Sequence, residues 1–181
     1  KELLAAQADA HYWDGDGGGY FLAAADTTDV ILRTKPVLDN ATPSGNGVMA
    51  EVLARLFHLT GQDEYRTRAE AVLRALVPKR IEMLLSAPGL LCAFEYLENP
   101  TLIVVAGDGA GADDLLRAAH VLAAPAKIIQ RVPGGAALPP SHPAYGKGPV
   151  AGRAAAYVCV GRTCGLPVTN AAELRAAAMA P

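Results

Sequence analysis

The sequence contains little of several features that mark common protein classes. Aromatic residues make up 6% of its 181 residues, and its formal net charge is −2. Because this nearly neutral charge is accompanied by no basic run, the sequence predicts no nucleic-acid partner. No apolar run approaches the roughly 18 residues that a membrane-spanning helix needs, so no membrane association is expected. Three cysteines are too few for the disulfide framework of a small secreted protein, which favours a cytoplasmic location.

Alanine is abundant instead, with 36 residues in a chain that is 51% hydrophobic. Since alanine is the best helix former and buries little area, this composition favours closely packed helices. Residues 1–99 show helical periodicity, whereas residues 100–181 contain short apolar runs and a Pro/Gly-rich loop at 133–152. The predicted fold is therefore mixed α and β, mainly helical: helix hairpins followed by a small α/β subdomain with a three-stranded, partly parallel sheet.

Glu2–Ala10 is predicted to be the end of a helix, and three further helical segments are predicted in the first part of the chain. The apolar residues of Asn46–Thr60 recur on one broad face, and Gly61 marks the end of that helix. A second helix is predicted over Asp63–Val77, and the short linker makes the pair an antiparallel hairpin. A third stretch, Lys79–Glu98, should break into two helices near Pro88.

The second part of the chain predicts a β-α-β unit. Strands are predicted over Thr101–Ala106 and Lys127–Val132, with a helix over Ala112–Ala124 between them. Because the connections are short, these two strands should be parallel and joined by a right-handed crossover. A third strand is expected over Ala155–Val160, and a closing helix over Asn170–Met179.

A glycine-rich turn after the first of these strands supplies one functional hypothesis. Gly107-x-Gly109-x-x-Ala112 matches the local part of a dinucleotide-binding fingerprint, in which backbone amides approach a phosphate. The acidic residue that should end the second strand is replaced by Gln130 and Arg131. Nucleotide binding at 107–112 is therefore kept as an alternative to a plain strand-to-helix turn.

The cysteines and histidines form no metal or redox motif. Four residues separate Cys159 from Cys164, whereas a thioredoxin-type motif has two, and the four histidines are scattered along the chain. Buried thiols are favoured for this pair of cysteines, with a disulfide between them as the alternative. We therefore predict no metal site and no cofactor.

Polar and aromatic residues cluster in two loops of the first part. Carboxylates can bind hydroxyl groups or act as general acid and base, and aromatic rings can stack on sugar rings. The alternative is that these carboxylates bond to backbone amides of their own turns, and that the serine caps the following helix. The residues concerned are Trp13, Asp14, Asp16 and Tyr20 in the first loop, and Arg33, Lys35, Asp39, Ser44 and Asn46 in and around the second.

Several spaced motifs, taken together, resemble a known family. They are Trp13-Asp14 followed by Gly18-Gly19-Tyr20-Phe21, then Arg33-x-Lys35, Asp39-x-Ala41-x-Pro43-Ser44-x-Asn46, Leu53-x-x-Leu56-x-x-Leu59-Thr60-Gly61, and Ala156-Tyr157-Val158-Cys159-x4-Cys164-x-x-Pro167-Val168. In this order they resemble the C-terminal part of the spermatogenesis-associated protein 20-like family of thioredoxin-domain proteins. The chain begins with a lysine, and we expect it to be a piece of such a longer protein.

The resemblance implies a parent protein with an N-terminal thioredoxin-like domain and an (α/α)6 toroid similar to N-acylglucosamine 2-epimerases and six-hairpin glycosidases. This chain would supply the last helix hairpins of the toroid and the α/β appendage. A toroid of this kind has its ligand pocket at one end of the ring. The positions that would lie there are Trp13, Asp14, Arg33, Asp39, Ser44 and Asn46. The thioredoxin redox motif lies outside this sequence, so the resemblance implies no redox activity for it.

Two functional hypotheses follow. In the first, the chain contributes part of a carbohydrate-like ligand pocket, with Asp14 and Asp39 as catalytic carboxylates and the other loop residues as ligand contacts. In the second, the chain is a non-catalytic scaffold or interaction domain for the thioredoxin-like domain. A toroid fragment would also leave apolar helix faces uncovered, which predicts either a homodimer formed through Asn46–Val77 or a rearrangement of the first segment of the chain.

Overall fold

The structure is a computed structural model that describes residues 2–78, 81–161 and 163–179. The chain divides into two compact units, each with its own hydrophobic core. The first unit comprises Lys1–Phe57 and Gln62–Leu97, and the second unit comprises His58–Gly61 and Glu98–Pro181.

The first unit is helical. None of the helices in the described ranges is both long enough and apolar enough to cross a lipid bilayer. The helices that begin in this unit are α1 (Glu2–Tyr12), α2 (Gly45–Thr60), α3 (Asp63–Leu76), α4 (Ile81–Leu84) and α5 (Pro88–Glu98).

The predicted bounds of α2 and α3 agree with the structure to within one residue at each end. The predicted break in the third helical stretch is also found, although Lys79 and Arg80 of that stretch lie outside the described residues. Pro88 begins α5 instead of interrupting a helix. Proline suits this first position because the amide hydrogen that it lacks has no partner within the helix there.

Leucine and alanine side chains of α2, α3 and α5 form the core of the first unit. Leu53, Leu90 and Leu97 are among its largest fully buried side chains. The small alanine side chains belong to the same core cluster as these leucines. The fully buried alanines of these helices are Ala50, Ala54, Ala69 and Ala93.

The second unit contains a four-stranded mixed sheet. Strand β1 is parallel to β2 and antiparallel to β3, and β4 is antiparallel to β3. The first three strands lie where the sequence predicts them. The prediction of three strands is wrong, since the sheet has a fourth strand, β4. The sequence did not indicate β4 because it is only two exposed residues long and has no apolar run. The strands are β1 (Thr101–Ala106), β2 (Lys127–Val132), β3 (Ala155–Val160) and β4 (Thr163–Cys164), in the order β2-β1-β3-β4.

Two helices, α6 (Gly109–Val121) and α7 (Ala171–Met179), pack with this sheet in a second core. Leu115 of α6 and Leu174 of α7 are fully buried together with Ile103 of β1. Helix α6 begins three residues before its predicted start. The sequence did not indicate this first turn because it consists of glycine and alanine and lacks the apolar periodicity that marks the rest of the helix.

Truncating a fully buried leucine of the first core should destabilise the protein far more than truncating its neighbour. Leu90 is 0% exposed and Leu91 is 37% exposed, and both lie in α5. We expect Leu90→Ala to lower the free energy of unfolding by about 3 kcal/mol, and Leu91→Ala by less than about 1 kcal/mol. Urea denaturation followed by circular dichroism measures both values, and equal losses would contradict this core.

Candidate functional site

The glycine-rich loop is closed by an antiparallel bridge between its first and last residues, Trp13 and Tyr20. Inside it, the Asp14 amide donates to the Gly19 carbonyl at 2.9 Å. Gly19 has a φ of +80°, and a Cβ at this position would lie 2.8 Å from Leu76 of α3. The loop therefore needs glycine both for its backbone conformation and for its close approach to α3.

Asp14, the first predicted catalytic carboxylate, is bound within this loop. One of its oxygens accepts the amides of Asp16 and Gly17, each at 3.1 Å. The other forms an ion pair with Lys35, whose ammonium group also donates to the Gly18 carbonyl at 2.7 Å. The hydrogen bonds from Lys35 and from the Gly17 amide lower the pKa of Asp14. Asp14 is thus an anion at neutral pH and a poor proton donor.

Asp39, the second predicted catalytic carboxylate, joins segments that lie 50 residues apart. Its Oδ1 accepts the Ser44 amide at 2.6 Å, and its Oδ2 accepts the Gly89 amide at 2.5 Å. Desolvation raises the pKa of Asp39, but the hydrogen bonds from these amides outweigh it and leave the pKa lowered. A Cβ at Gly89 would lie 3.0 Å from Oδ2, so a larger residue at this position would push the carboxylate away by a few tenths of an ångström. Asp39 therefore places negative charge at the positive ends of α2 and α5.

Ser44 and Asn46 secure the start of α2. The hydroxyl of Ser44 accepts the Gly47 amide at 3.1 Å, which confirms its predicted capping role. The fully buried Asn46 accepts the Tyr20 amide at 2.7 Å and donates to the carbonyls of Tyr20 and Pro36 at 2.9 and 3.0 Å. Asn46 thus ties the glycine-rich loop and the second loop to α2, and both of its amide hydrogens are used internally.

Two aromatic and two charged residues form a cluster beside the glycine-rich loop. Tyr20 is buried, and its hydroxyl donates to Asp9 of α1 at 2.6 Å. The Arg68 guanidinium group of α3 lies 4.4 Å from the centre of the Trp13 ring and 3.3 Å from Asp9. Burial and the Asp9 carboxylate raise the pKa of Tyr20, which therefore stays protonated. Neither Asp9 nor Arg68 shares a local motif with Trp13, so no sequence pattern points to them.

Arg33 braces the segment between the two loops. Its guanidinium group lies 4.0 Å from the centre of the Phe21 ring and donates to the Ala23 carbonyl at 3.1 Å. The ammonium group of Lys35 lies 4.9 Å from the centre of the same ring. Asp16, by contrast, is exposed. Apart from Asp16, the predicted ligand contacts therefore take part in several separate networks of hydrogen bonds and ring contacts within the first unit.

A cavity of about 500 Å³ opens beside the aromatic cluster of the first unit. Its wall combines two aromatic rings, two carboxylates and a guanidinium group, which come from Trp13, Tyr65, Asp9, Glu64 and Arg68. Among the described residues, neither Asp14 nor Asp39 lines this cavity. Trp13 is the predicted site residue that the structure places at its wall.

The glycine turn between β1 and α6 is engaged within the second unit. The Asp108 carboxylate accepts the Gly134 amide at 2.8 Å. Arg131 donates to Asp113 at 3.1 Å and lies 3.9 Å from Asp108. Two carboxylates therefore lie beside the turn that a phosphate would approach. The nucleotide hypothesis gains no support from this geometry and stays a prediction.

Cys159 of β3 and Cys164 of β4 form a disulfide. The favoured expectation of two buried thiols is therefore wrong, because the antiparallel pairing of β4 with β3 places these residues directly opposite each other. Cys92 is an exposed free thiol. Within the described ranges, no group of three or more histidine, cysteine, aspartate or glutamate side chains could hold a metal ion.

The fold is that of a two-unit protein. One unit is helical and its polar loops are held by internal hydrogen bonds, and the other is a small α/β unit in the same chain. No family model matches the chain. It is 32% identical to spermatogenesis-associated protein 20 of Rattus norvegicus and 30% identical to that of Homo sapiens, in each case over 92% of the chain. An uncharacterized protein of Caenorhabditis elegans is 26% identical over the same share. The chain belongs to the spermatogenesis-associated protein 20 family.

The chain spans only part of these relatives. It covers 22% of the length of the rat and human proteins and 23% of the nematode protein. This share agrees with the prediction that the chain corresponds to a C-terminal part of a longer family member.

Asp39 should stabilise the first unit only while it is ionised. Because its pKa in the folded protein is lowered from 3.8, its contribution is present above that pH and is lost as the pH falls through the folded-state pKa. Asp39→Asn keeps one acceptor oxygen but turns the other into a donor that faces an amide. We expect it to cost about 2 kcal/mol of unfolding free energy at pH 7 and to flatten the decline below about pH 4.

Urea denaturation at a series of pH values measures this effect. Asp16→Asn in the exposed part of the glycine-rich loop is the matched control and should leave the unfolding free energy at pH 7 unchanged. A loss below about 0.5 kcal/mol in Asp39→Asn would show that the two helix starts do not depend on this carboxylate.

Proposed function

We propose that this chain is a structural module of its family, which supports the rest of the parent protein and performs no chemistry itself. The observation that carries the proposal is the Asp39 carboxylate, whose two oxygens bind amides at the starts of α2 and α5 at 2.6 and 2.5 Å. A carboxylate held in this way, with a lowered pKa, is a weak base and a poor proton donor near neutral pH.

The other polar residues of the two loops support the same proposal. The ion pair with Lys35 and two backbone amides occupy both oxygens of Asp14. The buried Asn46 directs its whole amide group to the backbone of the two loops. These contacts fix loop shape and helix direction, which is what a supporting module needs.

The partner of such a module is the remainder of a longer chain. The family resemblance implies an N-terminal thioredoxin-like domain and an (α/α)6 toroid, of which α2 to α5 would form one arc. A surface for that partner is offered by three strongly exposed apolar side chains of the first unit, Leu22, Ile31 and Leu32. A homodimer through Asn46–Val77 stays a prediction, and light scattering of this chain in solution tests it.

A second candidate function is the binding of a carbohydrate-like molecule. The observation that favours it is the cavity beside Trp13, in which an aromatic ring lies close to two carboxylates and a guanidinium group. Aromatic rings contact the apolar faces of sugars, and charged side chains bind their hydroxyl groups. In this proposal Asp9, Glu64 and Arg68 take the places that the sequence analysis gave to Asp14 and Asp39.

Fluorescence of Trp13 separates the two proposals. Trp13 is the single tryptophan of the chain, so its emission reports on the cavity directly. The structural-module proposal expects no saturable change when N-acetylglucosamine or glucose is added up to about 50 mM. A saturable change would overturn that proposal in favour of the ligand pocket.

Two glutamates of α3 provide a matched pair of variants for this titration. Glu64 lines the cavity. Glu70 pairs with Arg66 and is not among the described residues that line the cavity. If the cavity binds sugar, Glu64→Gln should weaken binding about tenfold and Glu70→Gln should not. An equal effect of both variants would count against a sugar site at this cavity.

A further inference from the structure

A second cavity, of about 570 Å³, lies in the second unit between α6 and the start of α7. Its volume is in the range of about 300–1,000 Å³ that is typical of small-molecule sites. The residues that give its wall chemical character are Asp114, Arg117, Arg153, Thr169, Asn170 and Arg175.

The charge of this wall is predominantly positive. Three guanidinium groups line the cavity, and one carboxylate, Asp114, lines it with them. Asp114 pairs with Arg117, which lies one turn further along α6. The other two guanidinium groups therefore leave an excess of two positive charges around the cavity.

Arg153 and Arg175 are unusual among the arginines of this chain. Among the described residues, no carboxylate or carbonyl group binds the guanidinium group of either one. The other described arginines do have such partners, as Arg131 has in Asp113 and Arg68 has in Asp9. Because arginine presents a rigid fork of donors that suits oxyanions, two unpaired arginines at one cavity indicate an anionic ligand.

The start of α7 does not add to this preference, because its backbone amides are already bound by side chains of the same segment. Asn170 caps the helix by accepting the Glu173 amide at 3.0 Å, and the Glu173 carboxylate accepts the Thr169 amide at 3.1 Å. The Glu173 carboxylate is thus held at the helix start by the backbone. Thr169 also lines the cavity, and a threonine hydroxyl group is able to donate to an oxyanion.

We propose that this cavity binds the phosphate group of a small phosphorylated molecule. Arg153 and Arg175 hold the phosphate oxygens, Arg117 adds positive charge, and the remaining volume accommodates the organic part of the ligand. The cavity shares Gly111 with the 107–112 segment and shares no lining residue with the Trp13 cavity. The proposal therefore does not depend on the function proposed for the first unit.

Calorimetric titration of this chain tests the proposal. The probes are inorganic phosphate, glycerol 3-phosphate and uncharged glycerol. We expect both phosphates to bind with affinities that fall as salt is added, glycerol 3-phosphate to bind more tightly than inorganic phosphate, and glycerol not to bind. The absence of phosphate binding up to about 10 mM at low salt would overturn the proposal.

Three variants and one matched control locate the binding. Arg153→Gln and Arg175→Gln should each weaken phosphate binding about tenfold, whereas Asp114→Asn should strengthen it several-fold because a repelling carboxylate is removed. Arg131→Gln changes the net charge by the same amount as the first two variants, but it lies outside the described lining of this cavity. Equal weakening by Arg131→Gln would show nonspecific attraction and overturn the site. Melting temperatures of all four variants confirm that each one is folded.

Discussion

The carboxylate of Asp39 is the contact on which the first unit depends. It accepts one amide five residues later in the chain and another fifty residues later, so one charge fixes a loop against two helix starts. Amides in the first turn of a helix have no partner within the helix and carry partial positive charge. A carboxylate satisfies two such groups at once, and glycine at position 89 allows it to come close enough.

This arrangement shows how two loops can have the composition of a ligand site while their polar groups bind the backbone. Tight turns that leave backbone amides unpaired need carboxylates, amides and hydroxyl groups to satisfy them, and a sugar site uses the same groups. The ion pair of Asp14 with Lys35 and the buried amide of Asn46 follow the same requirement. A cavity of about 500 Å³ in this unit lies beside Trp13, where Asp9 and Arg68 contribute charge from α1 and α3.

The second unit uses its charges differently. Its acidic residues near the glycine turn are neutralised by Arg131 and by backbone amides. Around the cavity at α7, by contrast, two arginines remain without carboxylate partners among the described residues. These two arginines are the observation from which the phosphate site of the second unit is proposed.

The sequence by itself determined the bounds of β1, β2 and β3, the helices α2 and α3, and the capping role of Ser44. These features depend on consecutive residues, because periodicity, glycine, proline and cap residues act over one or two turns. Only the tertiary structure decided that Asp39 reaches Gly89, that Asp9 lies against Tyr20, and that Cys159 meets Cys164 across a two-residue strand. The physical reason is that contacts between residues far apart in the sequence depend on how helices and strands pack, and local sequence patterns do not contain that information.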